Sequence, residues 1–233
     1  MKRNRVFVTG LGVVSSIGNN YEELVDSLRN LRHGFEPYSV LVDHPLVDVV
    51  LAGRPKGYEV DSADFEDWEF PEGLRIKREI LRGMPPHGPF TYFAMLQAIA
   101  DAQLSEEDVS NVDTGIYTAS GGSQRLAFKN FIRMSKVGPM RCPPTSIVSS
   151  IAGTLSFNLV ATFKIQGNSC GFSSACASSG HAIGYAFDDL TMGRQKRMFI
   201  AAGEDANLES IAPFSGMRAL SLDSDPLRAS CPF

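Results

Sequence analysis

The chain has 233 residues, 43% of them hydrophobic and 21% charged, with a formal net charge of −4. Those values fit a globular protein with a substantial core, read here as one domain over residues 1–233, and exclude a disordered or fibrous chain. The basic excess of a nucleic-acid-binding domain is missing.

Lys2, Arg3 and Arg5 precede an apolar run, residues 6–14, broken by Gly10 and Gly12. Without a small-residue cleavage site it reads as a buried strand (residues 5–9) and a turn, not a secretory signal, which predicts a cytoplasmic protein. Leu24, Val25, Leu28 and Leu31 recur at helical spacing and predict a helix over 21–32. Residues 35–90 are irregular and rich in Pro, Gly and Asp. An acidic cluster around Trp68 (Asp61, Asp64, Glu66, Asp67, Glu69, Glu72) reads as a solvated loop face. Helices follow over 90–102, 124–136 (basic), 146–163 (buried) and 177–192. Strands are expected over 113–119, 168–174 and 198–203. The alternation predicts an α/β fold with a mostly parallel, helix-covered sheet.

Charge is absent from the middle of the chain. Between Cys142 and Phe187 only Lys164 is formally charged, and no acid occurs between Asp113 and Asp188. Pro143, Pro144, Ser149, Ser150 and Asn158 make the segment too polar for a lipid-facing helix. It reads as a dry interior in which a reactive group is kept from water. Small residues such as Gly153, Ala175, Ala177 and Gly180 let backbones approach there.

The opening Val6-Phe-Val-Thr-Gly-Leu-Gly-Val-Val-Ser15 imitates a dinucleotide fingerprint. Ser15 stands where the third glycine belongs, no helix starts at once, and no acidic residue ends a second strand. A tight strand-to-loop turn is the better reading.

The four cysteines, Cys142, Cys170, Cys176 and Cys231, lack zinc half-site spacing and are too few for a disulfide scaffold. Free thiols in a reducing compartment and no metal are expected. Cys176 falls where a polar strand meets a helix of small residues, in Ser173-Ser-Ala-Cys-Ala-Ser-Ser-Gly-His-Ala-Ile-Gly184. Unpaired N–H groups and the helix dipole there favour a thiolate and predict a nucleophile. An inert buried cysteine is the alternative. His181 follows five positions later, about 140° around a helix, and does not face the thiol as its base. His33, His44 and His87 fall in loops or turns without a catalytic-looking setting. The residues thus offer a nucleophile and no general base.

Three segments carry a family resemblance: residues 8–20, residues 174–184, and Met198-Phe-Ile-Ala-Ala-Gly-Glu204 with Met217-Arg-Ala-Leu-Ser221. Together they resemble the β-ketoacyl-acyl carrier protein synthases, the condensing enzymes of fatty-acid synthesis. The Ser16-Ile-Gly-Asn-Asn20 ending leans towards the type I bacterial elongating enzyme. The resemblance is weakest over 35–90. It implies the N-terminal half of the thiolase-like layered α/β sandwich, a homodimer, no cofactor, and substrates carried on the phosphopantetheine of acyl carrier protein. It further implies an acyltransferase in which Cys176 takes the acyl chain as a thioester. Malonyl carrier protein is then decarboxylated, and its carbanion attacks that thioester. The Cys176 N–H would supply half of an oxyanion hole, and Phe214 matches an acyl-pocket gate. Arg78, Arg82, Arg133 and Lys136 approximately match carrier-protein contacts; a merely solvated basic face is the alternative.

One departure limits the resemblance. The family's two catalytic histidines, its lysine and its glycine-rich oxyanion loop belong to a C-terminal half without counterpart here. The chain ends at Ser230-Cys-Pro-Phe233, between expected elements, and reads as a fragment that would not condense alone. A half-sandwich would expose a large apolar face. Competing readings are a non-catalytic chain-length-factor subunit, which Cys176 argues against, a polyketide or aryl-polyene condensing enzyme, and, weakest, an unrelated cysteine hydrolase with no His or Asp placed to serve it.

Overall fold

A computed structural model of the chain describes residues 4–231. Its elements, in chain order, are α1 (Tyr21–Arg29), β1 (Phe35–Pro37), α2 (Ser39–Val42), β2 (Leu51–Gly53), α3 (Arg78–Leu81), α4 (Gly88–Asp101), α5 (Glu106–Val109), β3 (Thr114–Ala119), α6 (Gln124–Val137), α7 (Leu155–Phe163), β4 (Ser169–Phe172), α8 (Ser178–Thr191), β5 (Arg197–Ala202) and α9 (Leu208–Gly216). They form two compact units, residues 4–12 with 75–205, and residues 13–74 with 206–231.

The first unit is built on a three-stranded parallel sheet in the order β4-β3-β5. β3 reads Thr-Gly-Ile-Tyr-Thr-Ala, without alternation, and every residue of it is buried, as a central parallel strand covered on both faces requires. Two successive residues show those faces. Ile116 packs with Met95 of α4 and with Leu155 and Leu159 of α7. Tyr117 packs with Ala182 and Ala186 of α8; these small residues let α8 lie close to the sheet. The Tyr117 hydroxyl donates to Asp189 at 2.6 Å, and Asn168 and Arg194 donate to the same carboxylate at 3.0 and 2.7 Å. Burial, then the bond to Asp189, pushes Tyr117 up to about 12. Burial also raises Asp189, but its three donors outweigh it and hold the carboxyl below its ordinary value. Because the strands run parallel, their carboxyl ends share one edge. Residues 120–123, 173–177 and 203–205 leave the sheet there.

Two expectations for this unit are corrected. Residues 5–9 form no strand: residues 4–14 carry no ladder among the described residues, and Phe7 and Val8 are exposed. Apolar β-formers favour a pleated, half-buried surface but do not supply the partner that makes one. The glycines beside them serve packing. A Cβ on Gly10 would stand 2.8 Å from the Ala102 Cβ, and one on Gly12 would overlap the Ala94 carbonyl, so both let this segment lie against α4. The expected helix over 146–163 begins only at Leu155. Gly153 stands at φ +84°, and the hydroxyls of Ser149, Ser150 and Thr154 bond carbonyls three or four residues back. Turns therefore replace the first half of that helix.

In the second unit α1 is closed by a reciprocal cap. Asn20 Oδ1 accepts from the Glu23 N–H at 2.9 Å, and the Glu23 carboxylate accepts from Asn20 Nδ2 and the Asn19 N–H. The helix stops at Arg29, before the expected Arg32, and Leu31 takes φ +52°. β1 and β2 pair antiparallel. Tyr38, Leu41, Val49 and Ala52 pack beneath Leu208, Ile211 and Leu220. α9 itself, interrupted by Pro213 and capped by Asn207 with Ser210, was not anticipated from periodicity. Trp68 is buried with Nε1 donating to the Ser62 carbonyl at 2.8 Å, while Asp64, Glu66, Asp67, Glu69 and Glu72 are exposed.

Candidate functional site

Cys176 stands on the turn between β4 and α8, one residue before the helix N-cap, Ala177. The turn is held from both sides by short-range bonds. The Ser178 hydroxyl accepts from the Ser174 N–H at 2.8 Å and donates to the Ala175 carbonyl at 2.7 Å. Ala177 N–H donates to the Ser174 carbonyl at 3.2 Å. Ala175 is bent to φ +50°, a left-handed conformation that non-glycine residues adopt at a cost. Ser174 Oγ meets His181 Nδ1 at 2.7 Å, so His181 engages the turn and not the thiol. The Cys176 side chain is exposed.

That exposure corrects the expectation of a dry interior. Ile147, Ile151 and Phe157 are exposed as well, as are Ile183, Tyr185 and Phe187 on α8. Missing charge therefore does not require that the segment be buried within the described residues. Exposed apolar side chains thus line this segment and α8.

The other anticipated residues lie on separate elements. Arg78 opens α3 and Arg82 caps it. Arg133 and Lys136 lie on α6 with Arg125 and Lys129. Arg133 Nε donates to the Arg141 carbonyl at 3.1 Å; Arg78, Arg82, Arg133 and Lys136 are all exposed. Phe214 lies on α9 in the second unit, about half exposed. Cys142 is half-buried, and Cys170 and Cys231 are exposed; all are free thiols.

One cluster escaped the sequence reading. His87, dismissed there as a turn residue, is 1% exposed and caps α4. Its Nε2 meets Ser120 Oγ at 2.8 Å and its Nδ1 meets Asp205 Oδ1 at 2.7 Å. Asp205 also accepts from the His87 backbone N–H at 3.1 Å and from the Ser123 hydroxyl at 2.6 Å. A His and an Asp are thus placed together beside Ser120, which is 2% exposed, and neither bonds Cys176.

Residues 3–233 match the model of the beta-ketoacyl synthase N-terminal domain. The chain belongs to the β-ketoacyl synthase family. It is 34% identical over 221 residues to 3-oxoacyl-[acyl-carrier-protein] synthase 1 of Escherichia coli K12, covering 93% of this chain and 51% of that protein. The Haemophilus influenzae protein of the same name is 32% identical over 220 residues, 93% of this chain and 50% of its own length. Among solved structures, a β-ketoacyl synthase from Burkholderia phymatum STM815 matches with TM-score 0.78 and 26% identity, over 97% of this chain and 52% of that one. The fold is thus α/β of the thiolase-like class. The chain spans about half the length of the curated relatives it matches. Among the described residues no helix is long and apolar enough to cross a membrane.

Proposed function

We propose that this β-ketoacyl synthase domain carries the acyl-accepting step of a decarboxylative condensation in fatty-acid elongation, in the cytoplasm and as a homodimer. The sulfur of Cys176 attacks the carbonyl carbon of an acyl chain held as a thioester on the phosphopantetheine arm of acyl carrier protein. A tetrahedral oxyanion forms and collapses, the pantetheine thiol leaves with a proton, and the acyl chain remains on Cys176. The Cys176 N–H contributes to holding the oxyanion. Malonyl carrier protein then loses CO2, its carbanion attacks the Cys176 thioester, and the product is a 3-oxoacyl chain two carbons longer. The histidines and lysine of that second step belong to the family's C-terminal half. Phe214 gates the acyl pocket. Arg78, Arg82, Arg133 and Lys136 receive the acidic carrier.

The observation that supports this reading is an exposed thiol on a turn fixed by Ser178 and by the left-handed Ala175. A nucleophile needs access and a fixed approach direction, and an inert cysteine needs neither. The test is incubation with an acyl carrier protein thioester, followed by peptide mass analysis. Acyl label is expected on Cys176 alone and is expected to vanish in Cys176→Ser. Equal label on Cys142, Cys170, Cys176 and Cys231 overturns the assignment. Reversal of Arg133 and Lys136 to Glu is expected to raise the KM for carrier protein at low salt.

A further inference from the structure

Ser120, His87 and Asp205 stand in the order and at the distances of a hydrolase triad. Burial removes that function: Ser120 is 2% exposed and His87 1%, so no substrate reaches the hydroxyl. Asp205 Oδ1 accepts from the His87 backbone N–H and also meets Nδ1 of the ring. The Gly122 N–H donates to Ser120 Oγ at 3.0 Å, so that hydroxyl is held by the turn backbone as well as by the ring. The ring is thereby held at both nitrogens and links two turns, residues 120–123 and 203–205, that leave the sheet at one edge. Thr91 Oγ1 donates to the Gly88 carbonyl at 2.9 Å and steadies the start of α4. Glu204, the neighbouring acid, accepts from the Gly121 N–H at 2.5 Å.

Further bonds carry this clamp to β4 and towards α7. The Ser120 N–H donates to the carbonyl of Phe172 at 3.4 Å, the last residue of β4, four residues before Cys176. The Ser123 N–H donates to the Ser150 carbonyl at 2.8 Å. Gly122 stands at φ +81°, and a Cβ there would be 2.6 Å from the Ala152 nitrogen. Residues 120–123 therefore have one place to lie, and the end of β4 is tied to it.

We propose that His87, through Ser120 and Asp205, is a positioning residue that sets the reactivity of Cys176 by fixing the end of β4. The proposal rests on the reading of Cys176 as the nucleophile, but the experiment separates the two. Iodoacetamide alkylation rates are measured at Cys176 and, as an internal reference in the other unit, at Cys231. The proteins are the full polypeptide and its Ser120→Ala, His87→Gln and His87→Phe variants, each with its Tm. Ser120→Ala is expected to lower the Cys176/Cys231 ratio clearly, because alkylation follows the thiolate character and access that the turn gives Cys176. His87→Gln keeps an acceptor for Ser120 and is expected to retain more of the ratio than His87→Phe. A purely structural role lowers Tm and leaves the ratio unchanged, and that result overturns the proposal. If His87→Phe does not fold, Ser120→Ala decides alone. A wild-type ratio near one counts against the nucleophile reading, while the change on Ser120→Ala still decides the coupling.

Discussion

The turn after β4 and the turn after β3 leave the same edge of one parallel sheet, yet they are held differently. The first, carrying Cys176, is exposed, and its side-chain bonds span three to seven residues, joining Ser178 to Ala175 and Ser174, and Ser174 to His181. The second, carrying Ser120, is buried, and its bonds reach 33 residues to His87 and, from Ser123, 82 residues to Asp205. An exposed turn leaves its polar groups to water if a bond breaks. A buried one leaves them unpaired. Access for chemistry and rigidity from burial thus fall to adjacent turns, and the second is free to stiffen the first.

The sharpest way to break this comparison is Asp205→Ala. It strips the acceptor from the His87 N–H, the His87 ring and the Ser123 hydroxyl at once, all inside the core. A loss of about 3 kcal/mol or more is expected in urea unfolding, since three buried groups lose their acceptor at about 1–3 kcal/mol each. A loss below about 1 kcal/mol would mean that water reaches this cluster and that the two turns are not different in kind.

High pH probes a second buried cluster. Tyr117 is raised to about 12, so the folded state holds that proton more tightly than the unfolded state. The stability it confers is full below pH 10 and is lost as pH climbs towards 12. Tyr117→Phe is expected to remove this slope from a series of unfolding curves. Asp189 runs the other way: its lowered carboxyl confers stability above the ordinary aspartate range that is lost in acid.

The same contrast explains what could be read from the residues alone. β3, β4, β5, α4, α6 and α8 were legible because a covered strand and a helix face each write a local period. The Cys176 turn was legible because its bonds connect Ser174, Ser178 and His181 within one short segment. The His87 cluster was not, since nothing near residue 87 points to residues 120 and 205. Residues 5–9 have the composition of a strand but no partner among the described residues, and composition cannot specify one. α9 was missed because Pro213 interrupts its pattern, and its apolar face is decided by Tyr38 and Leu41, far away in sequence.

A milder change tests the exposed turn on its own terms. Ser178→Ala removes the hydroxyl that accepts from Ser174 and donates to Ala175. Ser178 is itself buried, but Ala175, whose carbonyl it serves, is exposed, so about 1 kcal/mol is expected, with a clear fall in Cys176 alkylation. A stability loss as large as that of Asp205→Ala would erase the distinction.

The smallest expected effect is at Ala175. Its φ of +50° costs an L-residue more than glycine. Ala175→Gly relieves that strain but gives the unfolded chain more freedom, and the two terms oppose. A net change within about 1 kcal/mol follows, of either sign. Alkylation separates the terms. If the left-handed bend is imposed by Ser178 and by the end of β4, the glycine variant keeps it and the Cys176 rate holds within about two-fold. If alanine's own restriction holds the bend, the rate falls while stability scarcely moves. The first outcome makes the turn a product of its clamps, and so of the buried cluster that fixes β4. The second makes it self-sufficient and weakens the case that His87 governs it.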